Sequence, residues 1–344
     1  MGEQKVDEGL SEEARKIQLT GKSTYIVSIP KKWVTSMNLK AGDQLIVSKQ
    51  SDSSLLLTPK EFFKPSRLGE ATITVSQKDA FGAINRKIVA LYLVGYNLIR
   101  IRTKGERITS LQRSSIKDLI RKKLVGTEII LDSVDEMKLQ ILLGYPELSV
   151  ESALRRMCFI AKSMHEDAIQ ALKDLNKKLA QDVIALDDEV DRFNLYIIRQ
   201  LKAAVQSERI LKDIGLSNPR DCLGYRVIVK SVERIADHAA KIAENLLLLD
   251  ERIDDSVFRK VSEMSSLARS VFDDSIKSLF KKDYSLADSA IIKAEAMEFV
   301  AKKIEAHRIS SIRMIVESIR RTAEYASDIA EIVLNLNVNQ IIAR

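Results

Sequence analysis

Residues 226–244 read RVIVKSVERIADHAAKIAE, and residues 313–331 read RMIVESIRRTAEYASDIAE. The two stretches align without a gap, and ten of the nineteen residue pairs are identical. A weaker match joins residues 166–191 to residues 273–298, at an offset of 107 residues instead of 87. Self-similarity of this kind is typical of a repeated structural unit. The last part of the chain is therefore predicted to hold two copies of one fold, with a shorter connection inside the second copy.

Each copy is predicted to be a three-helix unit. Apolar residues recur in alternating steps of four and three, as in Ile228, Val232, Ile235 and Ala239. This spacing of about 3.5 residues indicates helices packed side by side in a bundle. Only two of the twelve glycines and one of the five prolines lie beyond residue 146, so helix breakers are rare there. We predict an all-α domain over 147–344, made of two repeats, 147–252 and 253–344.

The sequence of residues 1–146 predicts two smaller domains. Residues 1–65 contain short β-prone segments separated by turns such as Thr20–Ser23, with a short helix after Pro30. Residues 66–146 alternate between strand and helix patterns and predict a small α/β module. The predicted fold class is therefore multidomain α+β: a small β domain, an α/β module, and an all-α pair of three-helix bundles.

The charge of the chain is unevenly distributed. The net charge is +7, with seven basic residues and one acidic residue in 15–49, and nine basic and two acidic residues in 100–123. A basic front half favours a polyanionic partner, although a solubilising surface would have the same composition. The basic helix predicted over 109–124 has no interleaved aromatic residue, so we interpret it as a solvated face rather than a nucleic-acid surface.

Several function classes are disfavoured by what the sequence contains. Cys158 and Cys222 lie far apart and predict two small buried side chains, not a disulfide framework. No apolar run approaches the roughly 20 residues of a membrane helix, and residues 1–13 are polar, so we expect a cytoplasmic protein without membrane insertion. We find no catalytic triad pattern, phosphate-binding glycine loop or Glu-x-x-His pair, and we predict that the chain is not an enzyme.

Residues 15–45 carry a recognisable order of motifs. RKI at 15–17, GKSTYIVSIPKKW at 21–33 and LKAGDQL at 39–45 resemble the AbrB/SpoVT swapped-hairpin family. The resemblance implies an interleaved homodimer that binds DNA through basic residues. Such residues contact phosphate oxygens and give salt-dependent affinity, whereas the alternative is that they only solvate strand edges. The implied DNA contacts are Arg15, Lys16, Lys22, Lys31 and Lys32.

The helical repeats carry a second resemblance. DDEVD at 187–191 in one helix and ERIADH at 233–238 in another resemble the PhoU family. Its members tune phosphate uptake and the associated signalling, and their acidic motifs bind iron or zinc clusters. Together the two resemblances imply a DNA-binding regulator of phosphate uptake. The alternative is an adaptor that does not bind DNA and contacts a phosphate transporter or signalling kinase. A toxin–antitoxin role is disfavoured, because antitoxin tails are usually short and disordered.

The spacing of the acidic residues agrees with a cation site. Residues four apart share a face of a helix, so two such pairs on adjacent helices would supply four carboxylates to iron, zinc or another divalent ion. The alternative is that Lys230, Arg192 and Arg234 pair with them on a solvated face. The candidate ligands are Asp187, Asp191, Glu233 and Asp237.

The second repeat departs from this acidic pattern. The positions that match the four candidates are occupied by Ala294, Glu298, Arg320 and Glu324. Arg320 would oppose a cation, so a second site would need a shifted set, with Glu298, Glu324 and Asp328 as weaker candidates. His238 is predicted to pack beside the motif, and His165 is predicted to be a satisfied core histidine.

Overall fold

The computed structural model describes residues 12–49, 53–60, 68–142, 148–302 and 309–342. The chain divides into two compact units, Met1–Pro65 and Ser66–Arg344. The predicted domain boundaries after residue 65 and after residue 146 fall outside the described residues. Over the part of the chain that is described, no helix is long and apolar enough to cross a membrane.

The first unit consists of two β-hairpins joined by a short helix. Its elements are β1 (Gln18–Thr20), β2 (Thr24–Ile26), α1 (Lys31–Ser36), β3 (Leu45–Lys49) and β4 (Leu55–Pro59). β1 pairs antiparallel with β2, and β3 pairs antiparallel with β4. Among the described residues of this unit, only Pro30 and Pro59 are buried. A single copy therefore has almost no hydrophobic core.

The second unit begins with a small α/β module. It contains β5 (Leu68–Thr74), α2 (Phe81–Val94), β6 (Tyr96–Arg102), α3 (Ser110–Lys123), β7 (Thr127–Asp132) and β8 (Glu136–Ile141). The strand order is β5-β6-β8-β7, with β5 parallel to β6 and the other pairs antiparallel. Ile99 and Ile101 of the central strand β6 share one buried core with Ile84 and Ile88 of α2.

The helical region follows the module. The first repeat contains α4 (Val150–Asp174), α5 (Lys177–Val205), the short α6 (Glu208–Asp213) and α7 (Asp221–Leu247). The second contains α8 (Asp255–Lys281), α9 (Tyr284–Ala301) and α10 (Ser310–Leu336), and a 3-10 turn follows at Val338–Gln340. The predicted fold class is confirmed. The shorter second connection is also present, because 302–309 joins α9 to α10 where 206–220 joins α5 to α7.

The two repeats match in detail at the corner after their first helix. Leu175 and Lys282, which are 107 residues apart, both adopt the left-handed conformation, with φ of 52° and 54°. The next residues, Asn176 and Asp283, both cap the following helix by accepting a hydrogen bond from a backbone N–H three residues later. The weaker sequence match therefore reflects a true structural equivalence.

An approximate two-fold rotation relates the repeats. Lys162 of α4 pairs with Asp273 of α8 at 2.8 Å. The equivalent residues Arg269 and Glu166 pair reciprocally at 2.6 Å. On α7 and α10, the ring of His238 stacks on the ring of Tyr325, its own equivalent, with centroids 5.8 Å apart. Because equivalent residues meet there, this contact lies on the rotation axis.

A buried arginine of α5 fixes the module on the helical region. Arg199 is 5% exposed. Its guanidinium donates to the carbonyl oxygens of Tyr92 and Gly95 at the end of α2, and to Oδ1 of Asn97 at 2.8 Å. Both carbonyls lie at the C-terminal end of α2, where the helix dipole is negative, so the buried guanidinium is a favourable donor there. The Tyr92 oxygen also accepts from the backbone N–H of Gly95.

Candidate functional site

The acidic patch consists of Asp187 and Asp191 of α5 with Glu233 and Asp237 of α7. The two helices pack together, and the four-residue spacing turns each pair toward the other. Burial, followed by the negative charges of Asp237 and Asp191 and opposed by Lys123, raises the pKa of Asp187 to about 7. The structure therefore brings the four predicted residues within electrostatic range of one another.

Asp187 is the least compensated member of the patch. Its Oδ1 atom is buried and has no hydrogen-bond partner. Burial also raises the pKa of Glu233 and of Asp237 above the ordinary carboxyl value. A buried oxygen without a donor favours a cation or a proton nearby, so the patch is chemically suited to bind a positive charge.

Positive charges of the chain itself already contact the patch. Lys123 Nζ lies 2.7 Å from Oδ2 of Asp191. On α7, Lys230 pairs with Glu233 at 2.5 Å, and Arg234 pairs with Asp237 at 3.2 Å. The two pairs on α7 are those of the alternative interpretation of the sequence, in which the carboxylates are neutralised by neighbouring basic residues.

The contact made by Lys123 shows that the prediction for the basic helix was wrong at its C-terminal end. The basic helix was predicted to be a solvated face, but the end of α3 packs on α5, where Lys122 also pairs with Asp188 at 3.0 Å. Lys123 and Asp191 are 68 residues apart in the chain, so helical spacing could not reveal the pair. Within the described ranges, no three or more His, Cys, Asp or Glu side chains are arranged to hold a metal ion.

In the second repeat, an arginine of α10 neutralises the acidic residues around the position that corresponds to the acidic patch. Arg320 donates to Glu317 at 2.7 Å and also pairs with Glu324. Glu298 is exposed and pairs with Lys302, and burial raises the pKa of Asp328. The three weaker candidates therefore do not repeat the acidic patch of the first repeat.

The ion pairs of α7 and α10 are reversed in polarity. Lys230 and Glu233 of α7 correspond to Glu317 and Arg320 of α10, at the offset of 87 residues. Both pairs are three residues apart and both are formed. The same position in the fold therefore accepts an ion pair of either direction.

Both predicted packing histidines are buried. His165 Nε2 lies 2.9 Å from Oγ of Ser265, and burial, with a smaller contribution from Arg269, lowers the pKa of His165 to about 4. His238 stacks on Tyr325, its Nδ1 has no hydrogen-bond partner, and burial lowers its pKa to about 4. Both rings are therefore neutral at pH 7.

The basic residues of the first unit that the structure describes are all exposed. Among the predicted DNA contacts, Arg15 pairs with Glu13, and Lys32 lies 3.7 Å from the same carboxylate. Trp33 is half-buried and lines a cavity of about 470 Å³ together with Val27 and Leu57. The five basic residues implied by the sequence motif are Arg15, Lys16, Lys22, Lys31 and Lys32.

Comparison with known families finds a match in each of the two units. The family model described as the PhoU domain matches residues 154–246, which cover most of α4 through α7. Residues 154–246 are thus similar to the PhoU domain. The model described as antidote-toxin recognition MazE, bacterial antitoxin, matches residues 18–64. The match to the PhoU domain therefore follows the match to the MazE model in one chain.

The helical part of the chain is similar to two PhoU homologs and to a crystal structure of PhoU. A phosphate-specific transport system accessory protein PhoU homolog of Aquifex aeolicus is 26% identical over 171 residues, covering 48% of this chain and 73% of the relative. PhoU homolog 1 of Thermotoga maritima is 24% identical over 210 residues, covering 56% of this chain and 87% of the relative. The crystal structure of PhoU from Pseudomonas aeruginosa matches with a TM-score of 0.50 and 22% identity, over 55% of this chain and 96% of that chain. The last match shows a shared fold.

Proposed function

We propose that this chain is a DNA-binding transcriptional regulator of phosphate uptake, and not an enzyme. The observation that carries the proposal is the combination, in one chain, of a MazE-type unit bearing exposed basic residues with a PhoU domain. Relatives of the helical part are accessory proteins of the phosphate-specific transport system. The regulator would act in phosphate homeostasis through DNA, with the helical region as its sensor.

The DNA-binding form is proposed to be a homodimer through residues 1–65. Apolar side chains of both hairpins, including Leu19, Tyr25, Val47 and Leu57, are exposed. Exposed apolar surface on so small a unit is unfavourable in water, and a second hairpin pair would cover it. Exchange of hairpins between two chains would also double the basic surface presented to a duplex.

Direct DNA binding can be tested with the full chain. We expect binding to a DNA duplex to weaken steeply with salt, because each contacted phosphate releases counterions. The variant Lys16→Ala/Lys22→Ala/Lys31→Ala should bind more weakly, and its log–log salt slope should be smaller by about 3. A matched control, Lys78→Ala/Lys104→Ala/Lys138→Ala, removes the same charge from the α/β module. Equal DNA binding by both triple variants would contradict the proposal and favour an adaptor that works through protein contacts alone.

We further propose that the acidic patch binds iron, zinc or another divalent ion. Asp187, Asp191, Glu233 and Asp237 would hold the ion, and the Lys123 ammonium would have to leave Asp191. The support is the carboxylate chemistry of the set and the unpaired buried oxygen of Asp187. A bound ion would replace the internal cation and would loosen the contact between α3 and α5.

Metal binding is tested by elemental analysis and titration. Metal in gently purified protein should be lost in Asp191→Ala/Asp237→Ala. Lys123→Ala should bind the ion more tightly than the parent, because a competing charge is removed. Lys122→Ala serves as the control, since Lys122 pairs with Asp188 outside the set. Unchanged metal content in the double aspartate variant would reject these ligands.

A further inference from the structure

A cleft lies between α4 and α8, away from the acidic patch. Its cavity measures about 500 Å³ and is lined by Phe159, Ile276 and Phe280 together with basic residues of both helices. Phe159 is 73% exposed, although it lies in a well-ordered helix of the domain core. A large exposed aromatic beside an apolar floor costs free energy in water unless another molecule covers it.

The rim of the cleft is strongly basic. Arg155, Lys162, Lys277 and Lys281 line it. Lys162 pairs with Asp273, and Arg155 and Lys277 pair with Glu151 and Asp274 of their own helices. The Arg155 guanidinium carbon lies 3.6 Å from the ring centroid of Phe280, so the cation is held over the aromatic surface. The cleft therefore combines an apolar floor with a positive border.

The internal repeat provides a built-in comparison for this cleft. The two-fold rotation that exchanges α4 with α8 generates a counterpart at the other end of the same helix pair. There, Phe159 is replaced by Ser266, Phe280 by Lys173, and Lys281 by Asp174. Leu172 and its equivalent Leu279 are both buried, whereas Cys158 and Phe272 beneath the cleft correspond to Ser265 and His165. The fold therefore does not require an apolar, basic cleft, because the counterpart forms the same helix pair without one.

We infer that this cleft is a docking site for an acidic amphipathic helix of a partner protein. A groove between two antiparallel helices accepts a third helix through apolar residues spaced three and four apart. Acidic residues that flank such a stripe would face the rim. Lys281 forms no ion pair among the described residues, and the other three cations would exchange their present carboxylates for those of the partner. A second copy of the same cleft is disfavoured as the occupant, because its basic border would meet an identical one. The inference does not depend on DNA or metal binding.

The test uses the full-length chain and a designed 20-residue peptide with fluorescence anisotropy as the readout. The peptide carries leucine at positions spaced three and four apart and glutamate on its other face. We expect saturable binding that weakens about tenfold in Phe159→Ser and about tenfold in Lys281→Asp, since buried aromatic and paired charged residues dominate such interfaces. Both changes copy residues of the counterpart cleft, so the fold should tolerate them.

Matched controls separate the cleft from general attraction. Leu223→Ser removes a side chain that is 72% exposed on α7. Lys173→Asp makes the same charge change as Lys281→Asp, but in the counterpart cleft. Both controls should bind within about twofold of the parent, a difference of roughly 0.4 kcal/mol. A peptide with lysine in place of glutamate should not bind.

Three outcomes would overturn the inference. The first is no saturable binding of the acidic peptide. The second is equal weakening by Lys281→Asp and Lys173→Asp with no effect of Phe159→Ser, which would mean attraction by net charge alone. The third is self-association of the peptide-free protein that Phe159→Ser abolishes, which would make the cleft an interface between copies of this chain.

Discussion

At the scale of single residues, the repeat carries two versions of one buried contact. His165 of α4 meets Ser265 of α8 at 2.9 Å. The equivalent residues are Phe272 and Cys158, both buried. The same position in the fold therefore accepts a polar pair in one half and an apolar pair in the other. Only the polar pair contains an imidazole, whose pKa burial lowers to about 4 in the folded protein.

The polar pair predicts a specific pH dependence of stability. The pKa of His165 is about 4 in the folded protein, below the value of about 6.5 in an unfolded chain. Protonation therefore favours the unfolded state, and stability is lost as pH falls from about 6.5 to about 4, by up to about 3 kcal/mol. The variant His165→Phe/Ser265→Cys should lose less stability over this range. Denaturant titrations at pH 7 and pH 5 measure the difference, and an unchanged pH dependence would contradict the assignment.

Arg199 is the residue on which docking of the α/β module depends. Arg199→Met should lower the free energy of unfolding by about 2–4 kcal/mol, because several buried acceptors lose a charged donor. Hydrogen exchange should increase first at the end of α2. Arg209→Met is the control, since the side chain of Arg209 is 90% exposed and its loss should cost little. Equal effects of the two substitutions would mean that Arg199 does not hold the module.

At the scale of helices, Gly224 of α7 lies directly against side chains of α10. A Cβ atom on Gly224 would lie 2.9 Å from Cγ2 of Ile332 and 3.3 Å from Cδ2 of Leu336. Isoleucine is stiff at this branch point, so the helices would have to shift. The glycine thus sets the distance between the third helices of the two repeats.

Because of this close approach, replacing Gly224 by alanine should lower the stability of the protein, although the same replacement usually stabilises a helix. Gly224→Ala should destabilise the protein by about 1 kcal/mol, whereas Gly→Ala in an uncrowded helix is stabilising. Gly82→Ala in α2 is the comparison, because its nearest atom is the flexible end of Arg86 at 3.5 Å. In the background Ile332→Ala, Gly224→Ala should no longer destabilise. Thermal unfolding of the four variants tests this, and a destabilisation that persists without Ile332 would reject steric overlap as its cause.

The helices were largely predictable from the sequence, but their polar contacts were not. Alternating apolar steps depend on neighbours three and four residues away, so they located the repeats, and the ends of elements shifted by only a few residues. The Lys123–Asp191 pair joins two elements through tertiary packing, which no local spacing encodes. Arg199 did leave a signal, because it interrupts the apolar stretch Tyr196–Leu201, where a charge must be paired. The short α6 had no such signal.

At the scale of the whole molecule, the unit boundary decides how a truncation should be designed. The α/β module shares a compact unit with the helical region, and Arg199 holds the end of α2. Cutting near residue 146 would expose the faces of α2 and α3 that pack on α5. A fragment of residues 1–65 ends at the boundary between the two units, so it does not cut through the second unit.

The proposed coupling between sensor and DNA can therefore be tested with residues 1–65. A reporter driven by a bound promoter should respond to phosphate in cells that carry the full chain. With the 1–65 fragment, DNA occupancy should remain but the response to phosphate should be lost, because the ligand or partner of the helical region can no longer shift DNA affinity. Occupancy is measured by footprinting in the same cells. A normal response from the fragment would show that the helical region is not the sensor.

The stacked rings of His238 and Tyr325 show how two similar halves of one chain differ from two identical subunits. In an assembly of two identical halves, a two-fold axis forces like residues together, so histidine would face histidine and tyrosine would face tyrosine. An unlike pair on the axis is possible only when the two halves have different sequences. Because both halves lie in one chain, this molecule is not bound by the rule that a symmetric dimer must obey, and each half is free to carry a binding surface that the other lacks.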